Sequence, residues 1–159
     1  MKVACGNKRI VVLLGNHAFK VGKIRFVRLF CRLLILPFSK RLRERFLDKY
    51  GNTWSSALFN DLFAGLLCNR REYGYFLKTD DKRVIPTIKQ LLGGHIVVQI
   101  RGKPVSDEDV KRNHPKYQDP EYKIANLDKP EQYCICPTDG TVRITDYGDS
   151  STIELLQIS

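Results

Sequence analysis

The first acidic residue of this chain is Glu44. Residues 1–43 hold eleven lysines and arginines and no aspartate or glutamate, so the formal net charge of +10 is concentrated there and the remainder is close to neutral. A segment without counter-charge points to a polyanionic partner, either nucleic-acid phosphate or an anionic membrane surface; a solvated basic face is the plain alternative. Arginines interleaved with apolar residues and free of acids also match a mitochondrial import sequence, and Arg25, Arg28 and Arg32 fall at helical spacing. A mitochondrial location is the expectation.

Histidine is scarce. His17, His95 and His114 are too few to assemble a dinuclear metal centre in the usual way. The five cysteines are odd in number and scattered apart from Cys134 and Cys136, unlike a secreted disulfide framework, so reduced thiols are expected. Cys134-Ile135-Cys136 lacks the two-residue spacer of common zinc motifs and has no second ligand pair nearby. Two small buried residues on one strand face are the better reading, and no metal or other cofactor is expected. No apolar run reaches the roughly 20 residues that a bilayer-crossing helix needs. Within the basic segment, residues 33–39 make an uncharged run of only seven. Internal repeats and low-complexity tracts are absent too.

What is present reads as helix first. From Lys23 to Tyr50, Ile24, Val27, Phe30 and Leu34 recur at helical spacing beside the three arginines, which predicts an amphipathic helix interrupted at Pro37. Trp54, Leu58, Leu62 and Leu66 repeat every four residues and predict a second helix over 53–67, with Trp54 in the core. Asn69 to Tyr75 mixes arginine with tyrosine, a composition suited to single-stranded RNA and equally to a polar loop. Asp80 to Arg83 reads as a turn. Earlier, the apolar run ending at Gly15-Asn16-His17 resembles the Gly-Asn-His motif of metallophosphatases. The motifs that precede it in that family have no room here, and Ala18 stands where an acid is common, so ordinary turn residues are expected.

The second half reads as strand. Ile96, Val98 and Ile100 alternate with Val97, Gln99 and Arg101. Tyr133 to Pro137, a turn at Asp139-Gly140, and Thr141 to Thr145 have the composition of a hairpin. Ser151 to Ile158 is a third β-rich run. Residues 104–130 read as an exposed insertion with one possible strand at Tyr122-Lys123-Ile124. The predicted fold is α+β: a basic helical extension over 1–92, then a small antiparallel β barrel or sandwich over 93–159.

Gly94 to Lys103 resembles the glycine, apolar run and arginine-glycine of the twenty-seventh protein of the bacterial-type large ribosomal subunit, and Asp139 to Ile144 looks like that family's closing hairpin. Gln99 and Ile100 stand where the family usually has arginine and glutamine, and residues 105–132 replace its glycine-rich central loop. Its lysine- and glycine-rich tail has no counterpart before Gly93, so a tail role is not carried over. The resemblance implies a structural constituent of a mitochondrial large ribosomal subunit, with ribosomal RNA and neighbouring ribosomal proteins as partners. Its phosphate contacts would come from Arg25, Arg28, Arg32, Lys40, Arg41, Arg43, Arg70, Arg71, Arg101, Lys103 and Arg143. The alternative is a peripheral membrane or membrane-complex protein that uses the helix over 23–45. No nucleophile, base and oxyanion partner can be grouped from spacing, so an enzyme is not expected.

Overall fold

The computed structural model describes every residue but 52, 126 and 159, and every side chain but those of residues 35 and 37 besides. The chain begins with strands, not helices. Strands β1 (Lys2–Cys5), β2 (Arg9–Leu14) and β3 (His17–Gly22) form an antiparallel meander. Between β2 and β3 the chain reverses at Gly15-Asn16, where Gly15 has φ +54° and Leu14 pairs with His17, as a two-residue hairpin turn requires.

Four helices follow: α1 (Phe26–Ile35), α2 (Lys40–Tyr50), α3 (Trp54–Leu62) and α4 (Ala64–Thr79). A short 3-10 turn over Leu36–Phe38 separates α1 from α2, at the proline that the sequence marks as a break. The Ser39 hydroxyl caps α2, and Thr53 and Ser56 form a reciprocal capping box on α3. The helix expected over 53–67 is two, because the chain bends at Phe63 between α3 and α4. Trp54, expected in the core, is exposed, its ring tilted against that of Phe46 at 6.1 Å between centroids.

Strands β4 (Thr87–Leu91) and β5 (Ile96–Ile100) then return to the first sheet. Its order is β1-β2-β3-β5-β4, and every neighbour is antiparallel. Beyond it lie α5 (Asp107–Asn113) and α6 (Pro120–Ile124), a separate hairpin of β6 (Tyr133–Ile135) and β7 (Val142–Ile144), and α7 (Ser150–Ile158).

The expected architecture is corrected on this point. An open five-stranded sheet spans both halves of the sequence, and the described residues close no barrel; the helical extension over 1–92 in fact opens with three strands and holds a fourth, β4. β2 escapes a period-two reading because Ile10 to Leu13 are all half-buried, so nothing alternates. The run after Ser150 is helix because Thr152 and Leu156, four apart, are the positions that bury. Tyr122-Lys123-Ile124 is helical as well, started by Pro120 in the first turn.

The main core joins Tyr75 of α4, Val84 and Ile85 with Tyr117, Leu127, Ile144, Tyr147 and Leu156. A smaller cluster of Leu36, Phe46 and Ala57 ties α1, α2 and α3 together. Two glycines set the placement of α4. A Cβ on Gly65 would lie 2.2 Å from the Lys8 carbonyl oxygen, and one on Gly22 would lie 2.7 Å from the Leu66 nitrogen. The first turn of α4 therefore rests directly on β2 and β3. Asn69 and Glu72, four and seven residues beyond Gly65, come down on the same sheet face. No helix of the described residues is long and apolar enough to cross a membrane.

Candidate functional site

Glu72 has no solvent exposure, yet it is surrounded by cations. On β3 the inward positions are Ala18, Lys20 and Gly22, which places one lysine on an otherwise small, buried face. Lys20 Nζ donates to Glu72 Oε1, Arg9 Nη1 to Glu72 Oε2, and Gln99 Nε2, from β5, to Glu72 Oε1. Asn69 completes the floor: its amide donates to the carbonyls of Lys20 at 2.9 Å, Gly94 at 3.0 Å and His95 at 3.0 Å, and its oxygen accepts from Arg9 at 3.2 Å. Gln99 also donates to Thr87 Oγ1 at 3.0 Å, which shares a 2.6 Å hydrogen bond with the Tyr147 hydroxyl.

The segment after β7 closes the cluster. Lys20 donates to the Thr145 carbonyl, Arg9 pairs with Asp146, and Lys8 pairs with Asp149. Asp146-Tyr147-Gly148 is thus anchored at its tyrosine and leaves the Asp146 carboxylate half-exposed.

Burial sets the proton affinities. It pushes the Lys20 amine down to about 8, against the upward pull of Glu72, and the positive charge of Arg9 adds to the fall. For Glu72 burial acts to raise the pKa, but Arg9 and Lys20 outweigh it and hold the carboxyl below its ordinary value. Asp149 is likewise lowered, since Lys8 overcomes its desolvation. Burial raises the Cys134 thiol to about 12, so it carries no reactive thiolate at neutral pH.

This cluster opens onto a cleft of about 970 Å³. Its walls are the β1–β2 turn with Gly6, Asn7 and Lys8, the sheet residues Val11, Ala18, Lys20 and Gln99, the extended segment from Ile100 to Val105, and Gln132 to Cys134 with Thr145 and Asp146. Lys103 pairs through both its backbone groups with Ile135, at 2.9 Å each, and joins the two sides of the cleft along one edge. Gly102 is obligatory there, because a Cβ would meet Cys134 Sγ at 2.1 Å. The lining is thus mixed: apolar Val11, Ala18, Ile85 and Ile100, with an ionic end made of buried Lys20 and Arg9 and half-exposed Asp146.

The eleven basic residues expected to contact phosphate do not converge. Arg25, Arg28 and Arg32 turn inward to Asp61 of α3, itself fully buried, with Arg25 Nη1 at 2.9 Å and Arg32 Nε at 2.9 Å. Arg143 is buried in its hairpin, donating to Thr141 at 2.9 Å and pairing with Asp139. Lys40, Arg41 and Arg43 lie on α2, with Lys40 4.0 Å from Glu44. Arg70 and Arg71 lie on the exposed side of α4, so the stretch read equally as a single-stranded RNA contact or a polar loop is helix. Arg101 and Lys103 alone among the eleven line the cleft, Arg101 donating to the Gly15 carbonyl at 3.2 Å.

The residues that build the site, Lys20, Glu72, Gln99 and Asp146, were not among those singled out by the sequence. The available signal was a lone lysine in register with the buried face of an apolar strand. Asn16 and His17, of the Gly-Asn-His motif, are exposed at the β2–β3 reversal, and no three His, Cys, Asp or Glu side chains of the described residues converge on a metal position. Comparison with known protein families, curated proteins and solved structures finds no match to this chain.

Proposed function

We propose that this chain is a nucleotide-binding domain of the protein-kinase type, with the cleft as its nucleoside-triphosphate site. In protein kinases a glycine-bearing loop covers the phosphates, a lysine of the third strand is held by a glutamate of a nearby helix, and the aspartate of an Asp-Phe-Gly triplet holds magnesium. Here Gly6 lies in the β1–β2 turn, Lys20 is on β3, Glu72 is on the helix preceding β4, and Asp146-Tyr147-Gly148 follows the β6–β7 hairpin. The observation that carries the reading is the buried Lys20–Glu72 pair with Asp146 at the mouth of one cleft.

Each part has a physical task. Glu72 fixes the Lys20 amine where an anionic phosphate can take up its second contact, and Arg9 adds a guanidinium suited to bidentate phosphate contact. The apolar part, near Val11, Ala18 and Cys134, suits the face of a base. Asp146 and neighbouring Gln132 are hard oxygen donors. They fit a magnesium ion that keeps most of its ligands as phosphate oxygens and water, needing only one or two carboxylates from the protein. When bound, such an ion neutralises phosphate charge; Arg9, now paired with Asp146, is placed to turn to the phosphates.

Two departures bear on phosphoryl transfer. The β1–β2 turn has one glycine where kinases have three. In the kinase catalytic loop the base aspartate precedes the metal-binding asparagine by five residues. With Gln132 in the asparagine position, that place falls on Leu127, which is fully buried, and the nearest carboxylate is Asp128. Nucleotide binding is therefore the function put forward. The ribosomal reading needs the basic side chains on one open surface, and their burial against Asp61 and within the hairpin gives it less support than the cleft has.

Thermal unfolding with added nucleotide tests this. Saturating magnesium and ATP should raise the melting temperature, ATP without magnesium less, and AMP little, since ligand that binds only the folded state stabilises it by mass action. Asp146→Ala should remove the magnesium increment. No shift with any nucleotide, or equal shifts with ATP and AMP, would contradict the assignment.

A further inference from the structure

Helix α1 is built inside out. Arg25, Arg28 and Arg32 follow one side of it to the buried Asp61, while Phe26, Val27, Phe30, Leu33 and Leu34 lie on the other and are exposed, Val27 at 81% and Phe30 at 64%. Phe38, at the corner leading into α2, is 89% exposed. A contiguous apolar face of this kind marks an interaction surface rather than ordinary scattered exposure.

The surroundings are cationic. A groove of about 390 Å³ between α1 and α2 is lined by Arg28, Arg32, Arg45 and Lys49 together with Cys31 and Leu42, and among the described residues no acidic side chain lines it. Helix α2 carries Lys40, Arg41, Arg43, Arg45 and Lys49 against Glu44 and Asp48. Arg45 and Lys49 form no ion pair among the described residues. Exposed aromatic and branched side chains on one helix, followed by a helix with five cations against two acids, are what an interfacial segment needs: the apolar face enters the acyl boundary and the cations meet lipid phosphates. A second copy of the chain would bury the same apolar face but would leave these charges unanswered, since it brings the same cations.

We infer that α1 and α2 dock this protein on an anionic phospholipid surface, with Phe26, Phe30, Leu34 and Phe38 inserted and Arg45 and Lys49 on headgroup phosphates. This goes beyond the nucleotide reading and does not depend on it.

Vesicle cosedimentation of the full chain decides the matter. Phosphatidylcholine vesicles containing phosphatidylglycerol should bind it, phosphatidylcholine alone should bind it weakly, and added salt should release it. Phe30→Glu with Leu34→Glu, and separately Arg45→Glu with Lys49→Glu, should each lower the partition constant roughly tenfold or more. All four positions are exposed, and unchanged melting temperatures would show that both variants fold. Failure of the wild-type chain to bind the anionic vesicles would overturn the inference. So would binding that neither variant weakens, or a wild-type dimer that Phe30→Glu converts to monomer while vesicle binding is absent.

Discussion

Two carboxylates with no solvent exposure each gather cations in this molecule, and they serve different ends. Glu72 takes Arg9 from β2, Lys20 from β3 and the amide of Gln99 from β5, residues distant in sequence that the sheet brings together. Asp61 takes Arg25, Arg28 and Arg32, all from one side of α1 or its first flanking residue. The first cluster opens on a large cleft and holds a lysine whose charge is lost as pH rises through about 8. The second straps a helix to the body and leaves that helix's apolar side outward. A buried ion pair alone is thus weak evidence of a site. It becomes evidence when its members come from several elements, face a cavity and stay partly uncommitted.

Removing each acid separates the two cases. Glu72→Ala leaves Arg9 and Lys20 buried without their partner, and should lower unfolding free energy by about 3–5 kcal/mol in urea denaturation. Asp61→Ala should cost less, because Arg28 and Arg32 reach solvent and can rehydrate while buried Arg25 keeps its hydrogen bond to Asn7. It should leave ATP affinity unchanged. An equal loss of stability for both variants, or a fall in ATP affinity with Asp61→Ala, would erase the distinction.

A smaller effect is expected in pH dependence. The Lys20 amine loses its proton as pH rises through about 8, so affinity for ATP, measured by calorimetric titration, should fall across that range, and Lys20→Arg should flatten the fall. Stability moves the other way. The folded pKa is depressed from 10.5 to about 8, so between those values the unfolded chain binds the extra proton. The Lys20 contribution to stability therefore rises with pH over that window. A pH profile of affinity that is the same for the wild type and Lys20→Arg would remove Lys20 from the site.

Much of the local structure was legible. The alternation at 96–100 marks β5, the Asp139-Gly140 turn with its flanking β-branched residues marks the β6–β7 hairpin, and Gly140 does adopt φ +72°. The helix broken at Pro37 was legible as well. Strands β1 to β3 were not: β1 is exposed throughout, Ile10 to Leu13 of β2 are half-buried on both faces, and the buried face of β3 carries Ala18, Lys20 and Gly22 in place of large apolar residues. The candidate site was hidden for another reason. Lys20 and Glu72 are 52 positions apart, and Lys20 and Thr145 are 125 apart, so no spacing rule reaches them. Glu72 also sits in an arginine- and tyrosine-rich run whose outer residues, Arg70 and Arg71, dominate its composition. The three arginines of α1 showed their helical period but not which way it faced; a single acid, Asp61, decides that.

The comparison comes down to whether the Glu72 cluster serves a phosphate while the Asp61 cluster serves the fold. Calorimetric titration of magnesium and ATP into the wild type, Lys20→Met and Arg32→Met tests it most directly. The wild type and Arg32→Met should bind with the same affinity, and Lys20→Met should bind at least roughly tenfold more weakly, as loss of one charge-assisted contact implies. Equal affinity in all three proteins, or binding in none, would contradict the assignment of the cleft.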